Sequence, residues 1–362
     1  MKFKIFISLS LVLIFLAGAL DADAQRRNRY KKRRSKNKRM SSYRGGMVGA
    51  KFRPYSYLSA NVNALNYFGD LAPVNKAAST DINFTRPGMG INVGHRFTPH
   101  LAVRAGFNYG RLKGDDVTSD PNAEDSRARY VRNLHFRNDI KELHMGFEIY
   151  LMPNYGGPNM RPDINIYLLV GAAVFHHEPK ALVPEFDYTT GGTEPAPQAG
   201  EWVKLRKLGT EGQLINSGSV KNSAYSPIQL AIPIGVGINL RLPGPFNAGI
   251  EFGYRYLFTD YIDDVSDRYV PFYMLEDDLT RIMSDRAAEP TAAWANVERT
   301  SVQVGSTTHP DGQTYYGSPY IGGGLDEKGA IRGNRDDNDM FFMTSLRISM
   351  ILGQTRSSAK FR

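Results

Sequence analysis

Beyond residue 54 apolar and polar side chains alternate with a period of two, the spacing of strands whose faces meet different surroundings. Leu58, Ala60, Val62 and Ala64 alternate with Tyr57, Ser59, Asn61 and Asn63. The pattern returns in Met89 to Arg96, Leu101 to Gly110, Glu142 to Leu151, Gln229 to Arg241, Phe246 to Tyr256 and Ser345 to Leu352. Ile164 to Phe175 is apolar on both faces and brings the number of predicted strands to eight, an even count.

A water-soluble β-sandwich also alternates, but three features predict an eight-stranded antiparallel transmembrane β-barrel, an all-β fold. The segments run about ten residues, enough for a tilted strand to cross the hydrocarbon layer, where sandwich strands are nearer five or six. Short connections (Phe97 to His100, Pro153 to Pro162, Pro243 to Pro245) alternate with long ones (69–86, 113–138, 177–225, 259–339), which puts short turns on one rim and long loops on the other. Tyr55, Tyr57, Tyr67, Phe68, Tyr109, Tyr254, Tyr256 and Phe258 gather near segment ends, where an interfacial aromatic girdle would sit.

The lumen of an eight-stranded barrel is only wide enough to be filled by side chains. The alternation assigns Arg96, Arg104, Glu142, Glu148, Glu251, Arg255 and Arg347 to that interior, with glycines leaving room. Four basic and three acidic groups nearly balance, so a plug of ion pairs is expected and a diffusion pore is not. With the N-terminus in the periplasm, an even strand count returns the C-terminus there too.

Zero cysteines exclude disulfides, thiolate metal sites and a lipoprotein anchor. A mean hydropathy of −0.38 excludes a helical multispan protein and leaves a barrel open. Lys2 and Lys4, the apolar run Ile5 to Leu20 and Ala22-Asp23-Ala24 form a secretory signal peptide over 1–24, short for an uncleaved anchor. Residues 25–50 follow as a basic tail. Eleven Lys or Arg and no acid lie in 25–44, including Arg26, Arg27, Arg33, Arg34 and Lys36, so of the net +9 the stretch 45–362 carries −2. Export removes the nucleic-acid reading of this tail. A solvated disordered segment, or weak docking to an anionic membrane or protein surface, stays open. Residues 51–362 form the barrel unit.

Candidate chemistry is sparse. The seven histidines show no metal-ligand spacing, and His144 with Glu142 and Glu148 points inward, where a plug explains all three. Asp260, Asp263, Asp264 and Asp267 crowd four carboxylates into eight residues, a composition that suits calcium, but without the glycine and terminal Glu of an EF-hand loop, so solvated loop acids are expected. G-x-S-x-G, H-E-x-x-H and P-loop motifs are absent, and no cofactor is expected. Loops this long are functional or disordered, and for 285–335 disorder is the favoured expectation.

Several stretches together resemble a known family: Tyr67-Phe68-Gly69-Asp70-Leu71, Arg132-Asn133-Leu134-His135-Phe136, Leu208-Gly209-Thr210-Glu211-Gly212, Tyr225-Ser226, Ile232-Pro233-Ile234-Gly235, and Gly253-Tyr254-Arg255 leading to Thr259-Asp260-Tyr261-Ile262-Asp263-Asp264-Val265-Ser266. The set resembles the PorG-like outer-membrane barrels associated with type IX secretion and gliding, over about residues 55–270 plus the last strand. The resemblance implies a non-enzymatic barrel in outer-membrane lipid, partnered by periplasmic secretion-ring lipoproteins and carrying no catalytic residues. The polybasic tail and the stretch 271–338 depart from the family pattern. The alternatives are an outer-membrane enzyme at the extracellular rim and a small transport or ligand-binding barrel.

Overall fold

The chain divides into two units, Met1–Ala50 and Lys51–Arg362. A computed structural model describes residues 52–71, 85–154, 158, 161–215, 224–275, 277–294, 297–300, 302–326, 329–335 and 338–352, all within the second unit. The signal peptide, the basic tail with Arg26, Arg27, Arg33, Arg34 and Lys36, and most of the first long loop lie outside the described residues.

Twelve strands occur among the described residues: β1 Tyr55–Phe68, β2 Arg86–Arg96, β3 Leu101–Asp115, β4 His135–Tyr150, β5 Ile164–His176, β6 Pro179–Leu182, β7 Trp202–Lys204, β8 Ile228–Arg241, β9 Phe246–Leu257, β10 Gly305–Thr308, β11 Thr314–Gly317 and β12 Met340–Ile351. Eight of them close an antiparallel barrel in the order β1, β2, β3, β4, β5, β8, β9, β12 and back to β1. Closure is carried by β12 against β1, with Leu58 opposite Met350 and Ala60 opposite Ile348. A closed ring leaves no unpaired edge, which is what a sheet surrounded by lipid requires. β6 and β7 prolong the sheet beyond β4, while β10 and β11 form a separate hairpin within the last long loop. Among the described residues no helix is long and apolar enough to cross a membrane.

Alternation sorts the side chains as its period requires. Val62, Ile91 and Leu346 face out at 64, 62 and 62% exposure, while the adjacent Asn61, Asn92 and Arg347 are buried. Two of the girdle tyrosines do otherwise: Tyr57 and Tyr67 are buried and point inward. Cross-strand glycines make room for such rings. Gly94 lies opposite Tyr57, and Gly237 opposite Tyr167. A Cβ at either would fall 2.0 or 2.2 Å from the facing tyrosine ring.

At the loop end, β3 runs on to Asp115 and β4 starts at His135, so the loop between them is shorter than expected. There Tyr67, Phe136, Phe175, Leu257, Ile262 and Phe341 belong to one buried apolar cluster that closes the mouth. Helices α1 (Glu124–Arg132), α2 (Leu205–Leu208) and α3 (Asp278–Ser284) belong to the loops above it. Ile282 and Met283 of α3 pack with Ala181 and Val203 of the strand extension. The described part of 285–335 is therefore folded, contrary to the expectation from composition: Phe272, Tyr315 and Leu325 form a small core, and Asp285, Arg286, Glu289 and Arg332 are buried. Their polarity is satisfied inside the cap, so low hydrophobicity did not mean solvation.

Gly237→Val should push the Tyr167 ring off its site at a cost of about 1–3 kcal/mol. A lower urea midpoint than that of the outward variant Val236→Ala, read by heat-resistant migration on a gel, is the expected result.

Candidate functional site

Two polar layers lie along the barrel axis, one in the lumen and one in the loop cap above the mouth. The lower layer is built on β3, β4, β9 and β12. Arg104 forks onto Glu251 with contacts of 2.7 and 3.0 Å and reaches Glu148 at 3.0 Å. Arg347 approaches the same Glu148 oxygen at 2.7 Å and donates to Asn239. Arg255 binds Glu142 at 2.9 Å, and Asn108 donates to the same carboxylate. His144 Nδ1 lies 3.3 Å from Glu142. Tyr57 and Tyr150 both donate to Glu148, and Tyr167 donates to Glu251. The glycines opposite Tyr57 and Tyr167 are thus what bring two hydroxyls to the carboxylates. Three arginines face three glutamates, and every one is buried.

Arg96 stands outside this network. The alternation puts it on the inner face, but its position at the end of β2 places it among turn carbonyls. Its guanidinium donates to the Thr98 and Pro99 carbonyls and stacks 3.8 Å over the Tyr150 ring.

The upper layer contains the acids that sequence reasoning expected to be solvated. Asp260, Asp263 and Asp264 are buried, and only Asp267 is half-buried. Asp263 accepts hydrogen bonds from Val265 N–H and Leu71 N–H. The Tyr67 hydroxyl sits 2.7 Å from both Asp263 and Asp339. One hydroxyl proton serves one acceptor, so the second of these contacts requires a carboxyl proton. Burial and neighbouring aspartates hold Asp263 and Asp339 well above the usual carboxylate range, and burial together with Asp263 pushes Asp260 up to about 9. Asp70 accepts from Asn334 N–H and is raised by burial, against the pull of Arg132.

The other motif acids join this layer through a second set of contacts. Gly209 takes the left-handed conformation (φ +69°) that ends α2 and turns the chain into Thr210 and Glu211. Thr210 and Tyr225 donate to Asp264, itself at φ +69°. Glu211 accepts from Ser266 N–H and from Arg332, both at 2.9 Å. Burial raises Asp264 to about 6 in spite of Arg332. The stretches that carry the family resemblance are therefore in mutual contact: Tyr67 with Asp263, and Thr210 and Glu211 with Asp264 and Ser266. Gly69 lies beside them at the end of β1, where a Cβ would fall on Tyr67 and Asp339.

Sequence reasoning missed Asp339 and Arg332, whose partners Tyr67 and Glu211 lie far along the chain, and did not pair Arg132 with Asp116, which the fold joins at 2.7 Å. It also missed Tyr57 and Tyr167 as lumen donors, although the glycines two strand positions apart from polar neighbours were a usable signal. Among the described residues no three His, Asp or Glu side chains converge to hold a metal ion. Asp263 and Asp264 accept hydrogen bonds from loop backbone and side-chain groups, so this layer ties the loops together.

Glu251→Leu should leave Arg104 short of its main counter-charge and cost about 3–5 kcal/mol. Heat-resistant migration should be lost in this variant and partly regained in Arg104→Met/Glu251→Leu. The cap should respond to pH. A carboxyl whose folded pKa is raised contributes stability that is full below its unfolded value, about 4, and is lost as pH rises towards its folded value, about 9 for Asp260. The chain's two tryptophans, Trp202 and Trp294, are in contact in the cap. Denaturant unfolding followed by their emission should give a midpoint that falls between pH 5 and 9, and Asp263→Asn should flatten that slope.

A family model described as a domain of unknown function (DUF6089) matches residues 56–192, from β1 into the loop beyond β6. No curated protein matches the chain. Among solved structures, the attachment invasion locus protein Ail of Yersinia pestis, crystallised with the heparin analogue sucrose octasulfate, is 7% identical, with 83% of this chain and 100% of that one covered at a TM-score of 0.33. Neisserial surface protein A is 8% identical over 82% and 96%, at 0.31. A major outer membrane protein from Thermus thermophilus is 10% identical over 82% and 99%, also at 0.31. Likenesses of this order carry no functional argument, and the barrel rests on its own strand pairings.

Proposed function

We propose that the chain is a non-enzymatic outer-membrane barrel with a sealed lumen, anchoring or organising a periplasmic complex of type IX protein secretion. The observation that carries the membrane part is the inversion of faces. Val62, Ile91, Leu143, Leu346 and Ile348 are each about 60% exposed on strands whose inner faces hold buried ion pairs. An apolar belt of that extent on a closed sheet is unfavourable in water and suited to acyl chains. The ion-pair layer argues against free diffusion through the lumen. The buried, hydrogen-bonded state of Asp263 and Asp264 argues against a catalytic rim built on them.

Both ends of the barrel chain, at Tyr55 and Ile351, lie at the rim of short turns. With that rim in the periplasm, the folded cap faces the exterior, and periplasmic ring lipoproteins are the partners this reading implies. The secretion role draws on the resemblance of the motif stretches.

Deletion of the gene should abolish secretion of type IX cargo, and Asp263→Asn should restore it. Undiminished secretion in the deletion strain would discard the role. In planar bilayers the purified protein should give no conductance steps, and regular steps would favour the transport reading.

A further inference from the structure

The short-turn end of the barrel opens into a small, solvent-open vestibule, and four arginines line it: Arg96, Arg161, Arg241 and Arg347. Arg96 and Arg161 are buried, yet among the described residues neither contacts a carboxylate. Arg161 is braced by neutral oxygens, the carbonyls of Pro158, Gly244 and Phe246 at 2.7–2.8 Å and Asn247 Oδ1 at 2.8 Å. Arg96 Nη1 has a 3.4 Å contact with the Tyr55 hydroxyl, long for a hydrogen bond. The acids nearby do not balance this end. Glu148 is shared by Arg104 and Arg347, and Asp163, with a side chain 92% exposed, lies 3.9 Å from Arg241.

Carbonyl oxygens satisfy guanidinium protons but leave the charge uncancelled, and a buried cation without a counter-ion is costly. In the sequence, residues 25–69 and 353–362 contain no Asp or Glu. We propose that the vestibule is a carboxylate-binding site that takes an acidic side chain of a partner polypeptide. Guanidinium groups offer paired donors matched to the two oxygens of a carboxylate.

The test uses the full chain refolded in a neutral detergent, titrated calorimetrically with an acetylated tri-aspartate peptide. Saturable binding is expected. Arg241→Gln, at a partly exposed position, should weaken binding about tenfold, as should Arg96→Gln. Arg53→Gln, the same charge change at an exposed site outside the vestibule, should leave it within about twofold. Heat-resistant migration of each variant separates lost binding from lost folding, and the Arg241 variant keeps the test open should the Arg96 variant misfold. Absence of saturable heat, equal weakening in the Arg53 variant, or tighter binding of inorganic phosphate than of the peptide would each overturn the assignment. This result stands apart from the secretion role, since it is read on the purified chain alone.

Discussion

The contact between Arg104 and the pair Glu251 and Glu148 is the interaction on which the barrel depends. A sheet that meets hydrocarbon must pair all its backbone groups, so it closes. Once closed at eight strands, it must fill its own interior. Apolar side chains are already committed to the outer face by the period-two pattern, so the filling is polar. Polar filling deep in a protein is stable only when each charge meets its opposite. Arg104 reaches from β3 to β4 and β9, and Glu148 passes the link to Arg347 on β12. Half the strands of the ring are thus joined across its axis by groups that cannot be removed singly.

The loop end solves a related problem by other means. Tyr67 rises from β1 to the Asp263 and Asp339 carboxyls, so the last turn of the barrel and two distant loop segments share one hydroxyl. A few residues away Arg332 ties Glu211 to the Asp264 carbonyl. These contacts, together with the apolar cluster beneath them, make the long loops a folded cap. A cap held by protonated carboxyls and single arginines responds to conditions that leave the lumen pairs unchanged, because in the lumen each glutamate meets an arginine.

The barrel was legible because its signal is local: alternation, strand length and turn spacing are read within ten residues at a time. The lumen charges were legible for the same reason, since Arg104, Glu148, Glu251 and Arg347 each announce their face by parity. Parity does not give partners, however, and it put Arg96 with the others although its height at a strand end assigns it to turn carbonyls. The loop acids were misread because solvation was inferred from composition. Asp263 and Asp339 are 76 positions apart in the chain, and nothing short of the fold brings them to one tyrosine. The disorder expected for 285–335 failed likewise: Arg286 and Glu289 pair with each other inside the cap, where a charged stretch would be taken as solvated.

Along the barrel axis, buried charge is therefore handled in three different ways. In the middle, arginine and glutamate cancel. At the loop end an excess of carboxylates is reduced by protons, since burial favours the neutral acid. At the turn end neither remedy exists: guanidinium does not lose its proton at any accessible pH, and Arg96 and Arg161 have neutral oxygens as partners. An acid can neutralise itself when stranded in a protein interior, but an arginine can only wait for an anion. The asymmetry between the two ends thus follows from side-chain chemistry, and it makes the turn end the place where a second molecule completes the structure.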